Sequence, residues 1–428
     1  MTGVVQRKGP GVRLELPTLQ NWSCHNCGGC CRQHDIEITA EERERILAQT
    51  WSREEGVDPD RLVEETGGGG RRRWRLSHQP DGACVFLDER GLCRMHARYG
   101  EASKPLACRL YPYTFHPDEN SLRVGLRFSC PSVVSNRGTP VLAQKATLLR
   151  LSQEVVPAGY AGVAAPPLVS GRPLEWSQLH VLTGVLGELL GEDQQPVVLR
   201  LLWCLGMLSL LEASRDTGEI PFPRQVGQLA EAVRRELPGL SRQPMQPPAA
   251  MARRLFRMTV AQYSRKDTFQ AEQQTWRYRW KLLRSIWRFT SGKGQTPVLQ
   301  EGFRPVPFVD LERSCGEMTP EMNGVLSRYL QVKVESLHFC GLAYYGVPVV
   351  EGFASLALAV ASACYLARWL ARGDGRSQWQ LDDVQRALAV VDHHHGFSPA
   401  LGQTSFRARQ RWLWTQREVT RLVLWYGQ

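Results

Sequence analysis

The 428-residue sequence predicts a mainly α protein, with a small Cys-rich α+β module at the N-terminus followed by a larger helical region. Three observations carry this prediction. Eight of the 12 cysteines precede residue 131: Cys24, Cys27, Cys30, Cys31, Cys84, Cys93, Cys108 and Cys130. The same stretch holds short alternating apolar runs and glycine-rich turns, which suit short strands. Beyond Pro140, apolar residues recur at three- and four-residue spacing, the period of helices that pack on a core. The expected division is a cysteine-cluster module over 20–135 and a helical region over 140–428. The Pro-rich joint LPGLSRQPMQPPAA marks a place near 240–250 where the helical region could divide into two subdomains.

The opening residues, MTGVVQRKGPGVRLELP, contain no apolar run of the kind that targets a chain for secretion. The sequence then places four cysteines within eight residues, in NWSCHNCGGCCRQH. Ile36 and Ile38 alternate as in a short strand. Thr39 with Glu42 three residues on is a capping box, predicting a helix to about Gln49. EETGGGGRRR, 64–73, is a loop, because four glycines do not hold regular structure cheaply. GACVFLDERGLCRMH predicts two short strands about the turn Asp88-Glu89-Arg90-Gly91, a hairpin that would bring Cys84 and Cys93 together. KPLACRLYPYTFHP is stiffened by three prolines and carries Cys108, and GLRFSCPS carries Cys130.

Helices are predicted over 144–154, 178–190, 196–213, 226–236, 250–263, 270–289, 320–340, 350–372, 381–392 and 405–426. Cys204 and Cys364 lie in apolar helical text and read as small core residues. The longest uncharged apolar stretch, 352–367, is shorter than the roughly 18–20 residues of a membrane span. No membrane span and a cytoplasmic location are therefore expected. In that reducing compartment, dense cysteines signal metal or catalysis more often than disulfides.

Cys24-x2-Cys27-x2-Cys30 has the spacing that wraps a corner of a cubane [4Fe-4S] iron–sulfur cluster, each two-residue spacer turning the next thiolate to a different iron. Such runs recruit a fourth cysteine, often followed by proline; Cys130-Pro131 fits, and Cys108 competes for that role. Cys31 points elsewhere in an extended chain and could serve a second site with Cys84 and Cys93. Zinc is the alternative, because two-residue spacers also suit tetrahedral thiolate sites. His25, His34, His96 and His116 lie in the same module and could replace thiolates. Around Cys108, Arg109 could hydrogen-bond to sulfur and offset cluster charge, while Tyr111 and Tyr113 could shield a cluster from water.

Cys24–Cys31, Gly82–His96 and Lys104–Tyr113, read as CxxCGxCC, GxCxFLxxxGxCxxH and KPxxCRxYPY, resemble the three blocks of the CxxCxxCC zinc- or iron-chelating domain family, the YkgJ-like cysteine cluster proteins. The resemblance covers about the first third of the chain. The family includes flagellin lysine N-methylases, which are similar in layout. Membership of that branch would imply an enzyme, transferring methyl from S-adenosylmethionine to lysines of a protein substrate. The Glu65–Gly70 stretch looks like a glycine-rich nucleotide turn. However, the following RRRWRL does not read as the helix that such a turn requires.

From Met251 to Lys293 there are eleven Arg or Lys against Asp267 and Glu272, within a chain of net charge +11. Trp276, Trp280, Leu283 and Trp287 follow heptad-like spacing beside Arg277, Lys281, Arg284 and Arg288. The expectation is an amphipathic helix with its tryptophans in the core and a solvated basic shoulder. The other reading is a zinc-stabilised interaction module that uses 276–288 for an anionic partner, with Phe406 to Arg421 as a second basic-aromatic stretch. Asp392-His393-His394-His395 is expected to be a helix end with cations at its negative pole. The alternative gives His394 or His395 the work of a general base.

Overall fold

The computed structural model describes residues 13–66, 72–157, 162–214, 220–241, 246–265 and 276–428. The glycine run at 67–70 and the first residues of the helix expected from 270 lie outside the described residues.

The N-terminal part is built from short strands. Arg13–Glu15 (β1) pairs parallel with Ser121–Leu126 (β7), which pairs antiparallel with Tyr113–Asp118 (β6). Asn21–Trp22 (β2) pairs with Thr139–Pro140 (β8). Glu37–Ile38 (β3), Arg73–Leu76 (β5) and Val63–Thr66 (β4) form an antiparallel sheet in the order β3-β5-β4. The capping box is present. Thr39 Oγ1 accepts from the Glu42 amide at 3.2 Å, and Glu42 Oε2 accepts from the Thr39 amide at 2.9 Å. The helix it starts, Ala40–Leu47 (α2), ends two residues before the expected limit. Glu42 does a second job: its Oε1 accepts from Leu106 N at 2.7 Å, fixing the start of the helix that carries Cys108.

The expected hairpin between Cys84 and Cys93 is reduced to its turn. The strands are isolated bridges, His78 to Cys84 and Leu87 to Cys93. Asp88 explains this: its Oδ1 accepts from the amides of Arg90 and Leu92 at 2.9 and 2.7 Å, closing the chain locally before a ladder can extend.

The apolar residues form two cores. The small one joins Ile38, Ile46, Trp51, Leu76, Cys84, Phe86 and Met95. The large one takes in the β6–β7 ribbon and the helical region together, from Leu14 to Tyr426. At its centre lies Val349–Gly373 (α14), whose residues from Val349 to Ala371 are nearly all buried. This helix is long and apolar enough to cross a bilayer, but 94% of its most apolar window is covered by the rest of the protein. Packed on it are Leu381–His394 (α15), Ala250–Tyr263 (α10), Val197–Ala213 (α8) and the two last helices.

The helix expected over 226–236 is longer, Phe222–Ser241, and two others break earlier than expected. The helix begun at Pro320 (α13) ends at Glu335, and Leu337 takes φ 57°. The C-terminal helix is split into Thr404–Thr415 (α17) and Glu418–Tyr426 (α18) by Arg417 at φ 56°. Neither break falls on a glycine or proline, so no sequence punctuation announces it.

The tryptophan helix, Trp276–Ser291 (α11), corrects a firmer expectation. Trp276, Trp280 and Trp287 are 67, 65 and 69% exposed, and Leu283 is also exposed. The side turned inward carries Ser285 and Phe289. Phe289 packs on Phe308 and Trp369, with ring centroids 5.4 and 5.8 Å apart. The helix has a second line, of half-buried Leu282 with buried Ser285 and Phe289, and that line is the one that packs on the fold.

Candidate metal centre

Short helical turns position most of the eight cysteines. Gly29–Gln33 (α1) holds Cys30 and Cys31. Cys93 caps Arg94–Tyr99 (α3), Cys108 lies in Leu106–Leu110 (α4), and Cys130 caps Pro131–Val134 (α5) with Pro131 in the first helical position. The Asp88–Gly91 turn joins the first block to the second. Gly91 has φ 79°, and a Cβ there would stand 2.5 Å from the Asn26 carbonyl oxygen. Glycine is required on both counts. A backbone bond from Cys84 N to Cys31 O, 2.9 Å, closes the same junction.

All eight cysteines are free thiols. Cys84 is buried in the small core, and Cys31, Cys93 and Cys108 pack against it. Their charges are felt mutually. Burial pushes the Cys84 thiol up to about 12, with Cys93 and Cys30 adding repulsion. Burial also raises Cys108 well above its ordinary value, and Cys84, Cys93 and Cys30 raise it further. Cys30 Sγ lies 3.9 Å from Cys31 Sγ. Hydrogen bonding to Cys31 lowers Cys30 to about 7, while Cys31 is held protonated by the same contact and by burial.

The other three cysteines are not among the residues that form or border the small core. Cys24 and Cys27 are exposed, and Cys130 is buried in the large core. Burial raises Cys130, the amides of Val133 and Ser132 partly offset this, and Cys27 adds repulsion. Gly29 brings Cys27 Sγ and the Pro131 ring to one spot. Cys24 Sγ is 3.6 Å from Asn26 Oδ1.

Among the described residues, no three potential ligands already converge on one point. The donor chemistry fits a soft metal all the same. Four sulfurs border one small core with no disulfide partner, and side-chain rotation is enough to vary their separation.

Residues 23–130 match the family described as "CxxCxxCC: Putative zinc- or iron-chelating domain". These residues form a CxxCxxCC domain. No curated protein and no solved structure matches the chain.

The side chains expected around the CxxCxxCC sulfurs take varied places. Arg109 forms a two-pronged ion pair with Glu154 of the helix Lys145–Val155 (α6), and that contact raises its pKa. Tyr111 lies against His34 (5.0 Å between centroids) and its hydroxyl is 3.3 Å from Ser129 Oγ. Tyr113 donates to Gln144 Oε1 at 2.6 Å and meets Trp22 edge-on. Burial raises both tyrosines, and both sense the charge of Cys130. His25 Nδ1 is 2.8 Å from Ser132 Oγ, and His116 stacks on His338 rather than facing the thiols.

Where the CxxCxxCC domain meets the helices, the structure buries a charged network that the sequence reading missed. Lys333 Nζ and Asp392 Oδ1 are 2.6 Å apart, both fully buried. Lys333 also reaches His338 Nδ1 at 2.9 Å, and Asp392 Oδ2 accepts from Ser129 N at 3.0 Å. Burial lowers the lysine, and Asp392 offsets part of that loss. The guanidinium of Arg127 lies over Phe397 at 3.8 Å and donates to His393 O. The sequence signals were Lys333 between two valines and the Asp392–His395 run, and nothing local linked the two.

The three histidines at 393–395 belong to this network. His395 Nδ1 meets the Tyr263 hydroxyl at 2.9 Å, His394 Nε2 is 2.7 Å from Arg265 O, and His393 stacks on His34. Burial drives His395 well below its ordinary pKa, so it is neutral and not a cation at the helix pole. That expectation is corrected by its complete burial beside Lys333.

Proposed function

We propose that the CxxCxxCC domain is a thiolate metal centre assembled from all three cysteine blocks, with Cys31, Cys84, Cys93 and Cys108 as ligands. The observation that supports this most is that Cys84 belongs to the small core and Cys31, Cys93 and Cys108 all pack against that same core. Four thiolates suit zinc or iron in tetrahedral surroundings. A metal bound there would displace to solvent the protons that burial otherwise keeps on Cys84 and Cys108, leaving thiolate ligands. Eight cysteines without a disulfide partner support a reducing compartment, the cytoplasm, as the location. Metal quantification on anaerobically purified protein tests the reading. Cys84→Ser is expected to lose the metal of this centre while Cys24→Ser keeps it; full metal content in Cys84→Ser would sink the assignment.

A second reading puts a [4Fe-4S] cluster on Cys24, Cys27, Cys30 and Cys130. It is supported by the approach of Cys27 to the Cys130-Pro131 corner. Visible absorption and acid-labile sulfide decide it: a colourless, sulfide-free protein rejects the cluster. Lysine methylation with S-adenosylmethionine rests on the family resemblance alone. Calorimetric titration of S-adenosylmethionine into the metal-loaded protein tests it.

A further inference from the structure

Helix α11 (Trp276–Ser291) turns an apolar line toward solvent although its other side is already seated. Trp280 is 65% exposed, Leu283 58%, Ile286 40% and Trp287 69%, with Trp276 also exposed. Three- and four-residue spacing gathers these side chains on one side. The opposite side holds buried Ser285 and Phe289, the latter packed on Phe308 and Trp369. The helix is therefore anchored in the fold, and the exposed line is not a core face awaiting a missing element of that core.

The charge on the helix selects what covers this line. Its sixteen residues include five Arg or Lys and no acid. Arg284 is exposed, and Arg288 is partly so. A second copy of the chain would set cations against cations. A nucleic acid would satisfy the charge and could stack on indoles, but it offers nothing to the aliphatic Leu283 and Ile286. An anionic lipid surface satisfies all three features. Headgroups pair with the cations, acyl chains take the aliphatic groups, and indoles sit at the boundary between them.

We propose that α11 is an in-plane anchor that lays the protein on an anionic lipid surface. Among the described residues, the one helix long and apolar enough to span, α14, is enclosed by the fold, so the contact is made by the surface helix. The proposal is independent of the metal centre.

Flotation of the full chain with vesicles tests it. Vesicles of phosphatidylcholine mixed with phosphatidylglycerol should carry the protein up the gradient, and phosphatidylcholine alone should bind roughly tenfold less or weaker still. Arg284→Glu should weaken binding by about fivefold or more. The double variant Trp280→Ser, Trp287→Ser should stay unbound while melting like the parent, since both rings already face solvent. Failure of the parent to float, or undiminished flotation of the double variant, would overturn the proposal. So would binding to duplex DNA that needs the two tryptophans when vesicles do not bind, or a dimer that the double variant breaks apart.

Discussion

Lys333 and Asp392 hold opposite charges where neither reaches water. Such a pair is close to neutral when intact and costly when halved, because the survivor is a buried lone charge. Asp392→Ala should therefore lower stability by about 3–5 kcal/mol in urea unfolding. Replacing both, with Lys333→Met and Asp392→Leu, should cost clearly less than the single change. Equal losses would show that the charges do not act as a pair. Around them, burial lowers His34 and His116 to about 3 and drives His338 and His395 further below the ordinary value. These histidines are neutral in the fold and take up protons on unfolding. Their contribution is intact above the unfolded pKa of about 6.5 and is lost as pH falls from there toward about 3, by up to ~1.4 kcal/mol per pH unit for each. Stability measured between pH 7 and 5 should fall, and less steeply in His116→Gln. A flat profile would mean that these rings are already charged in the fold.

At the scale of elements, the Asp88–Gly91 turn joins two cysteine blocks. Gly91→Ala would force a Cβ onto the Asn26 carbonyl and strain a left-handed residue, so it should weaken metal retention without touching a ligand. Metal release to a competing chelator measures this, and unchanged release would show the turn to be dispensable. The turn and the Thr39 capping box were legible in the sequence because their chemistry is local. The orientation of α11 was not. Periodicity reveals that a helix has an apolar line, but α11 has two, and only the approach of Phe289 to Phe308 and Trp369 decides which is buried. The breaks at Leu337 and Arg417 were equally hidden, since tertiary packing imposes positive φ on residues that do not favour it.

Across the whole molecule, the sequence separated cysteine-rich from helical text, and the mainly helical architecture follows that division. Apolar packing is divided elsewhere. The β6–β7 ribbon and Cys130 join the helical core, leaving a small core around Ile46, Phe86 and Met95 to surround Cys84. Sequence text could not show this, because it follows from long-range contacts such as Ser129 with Asp392 and Arg123 with the Glu335 carbonyl. If metal binding supplies folding energy to that small core, chelation should speed amide exchange in α2 and α3 while α14 stays protected. Uniform loosening of both cores would contradict that division. The most direct test of the thiolate centre is X-ray absorption at the metal edge of the protein as isolated. Four sulfur neighbours at about 2.3 Å, lost in Cys84→Ser, are the expected result. A metal held by nitrogen and oxygen, or one unaffected by Cys84→Ser, would contradict it.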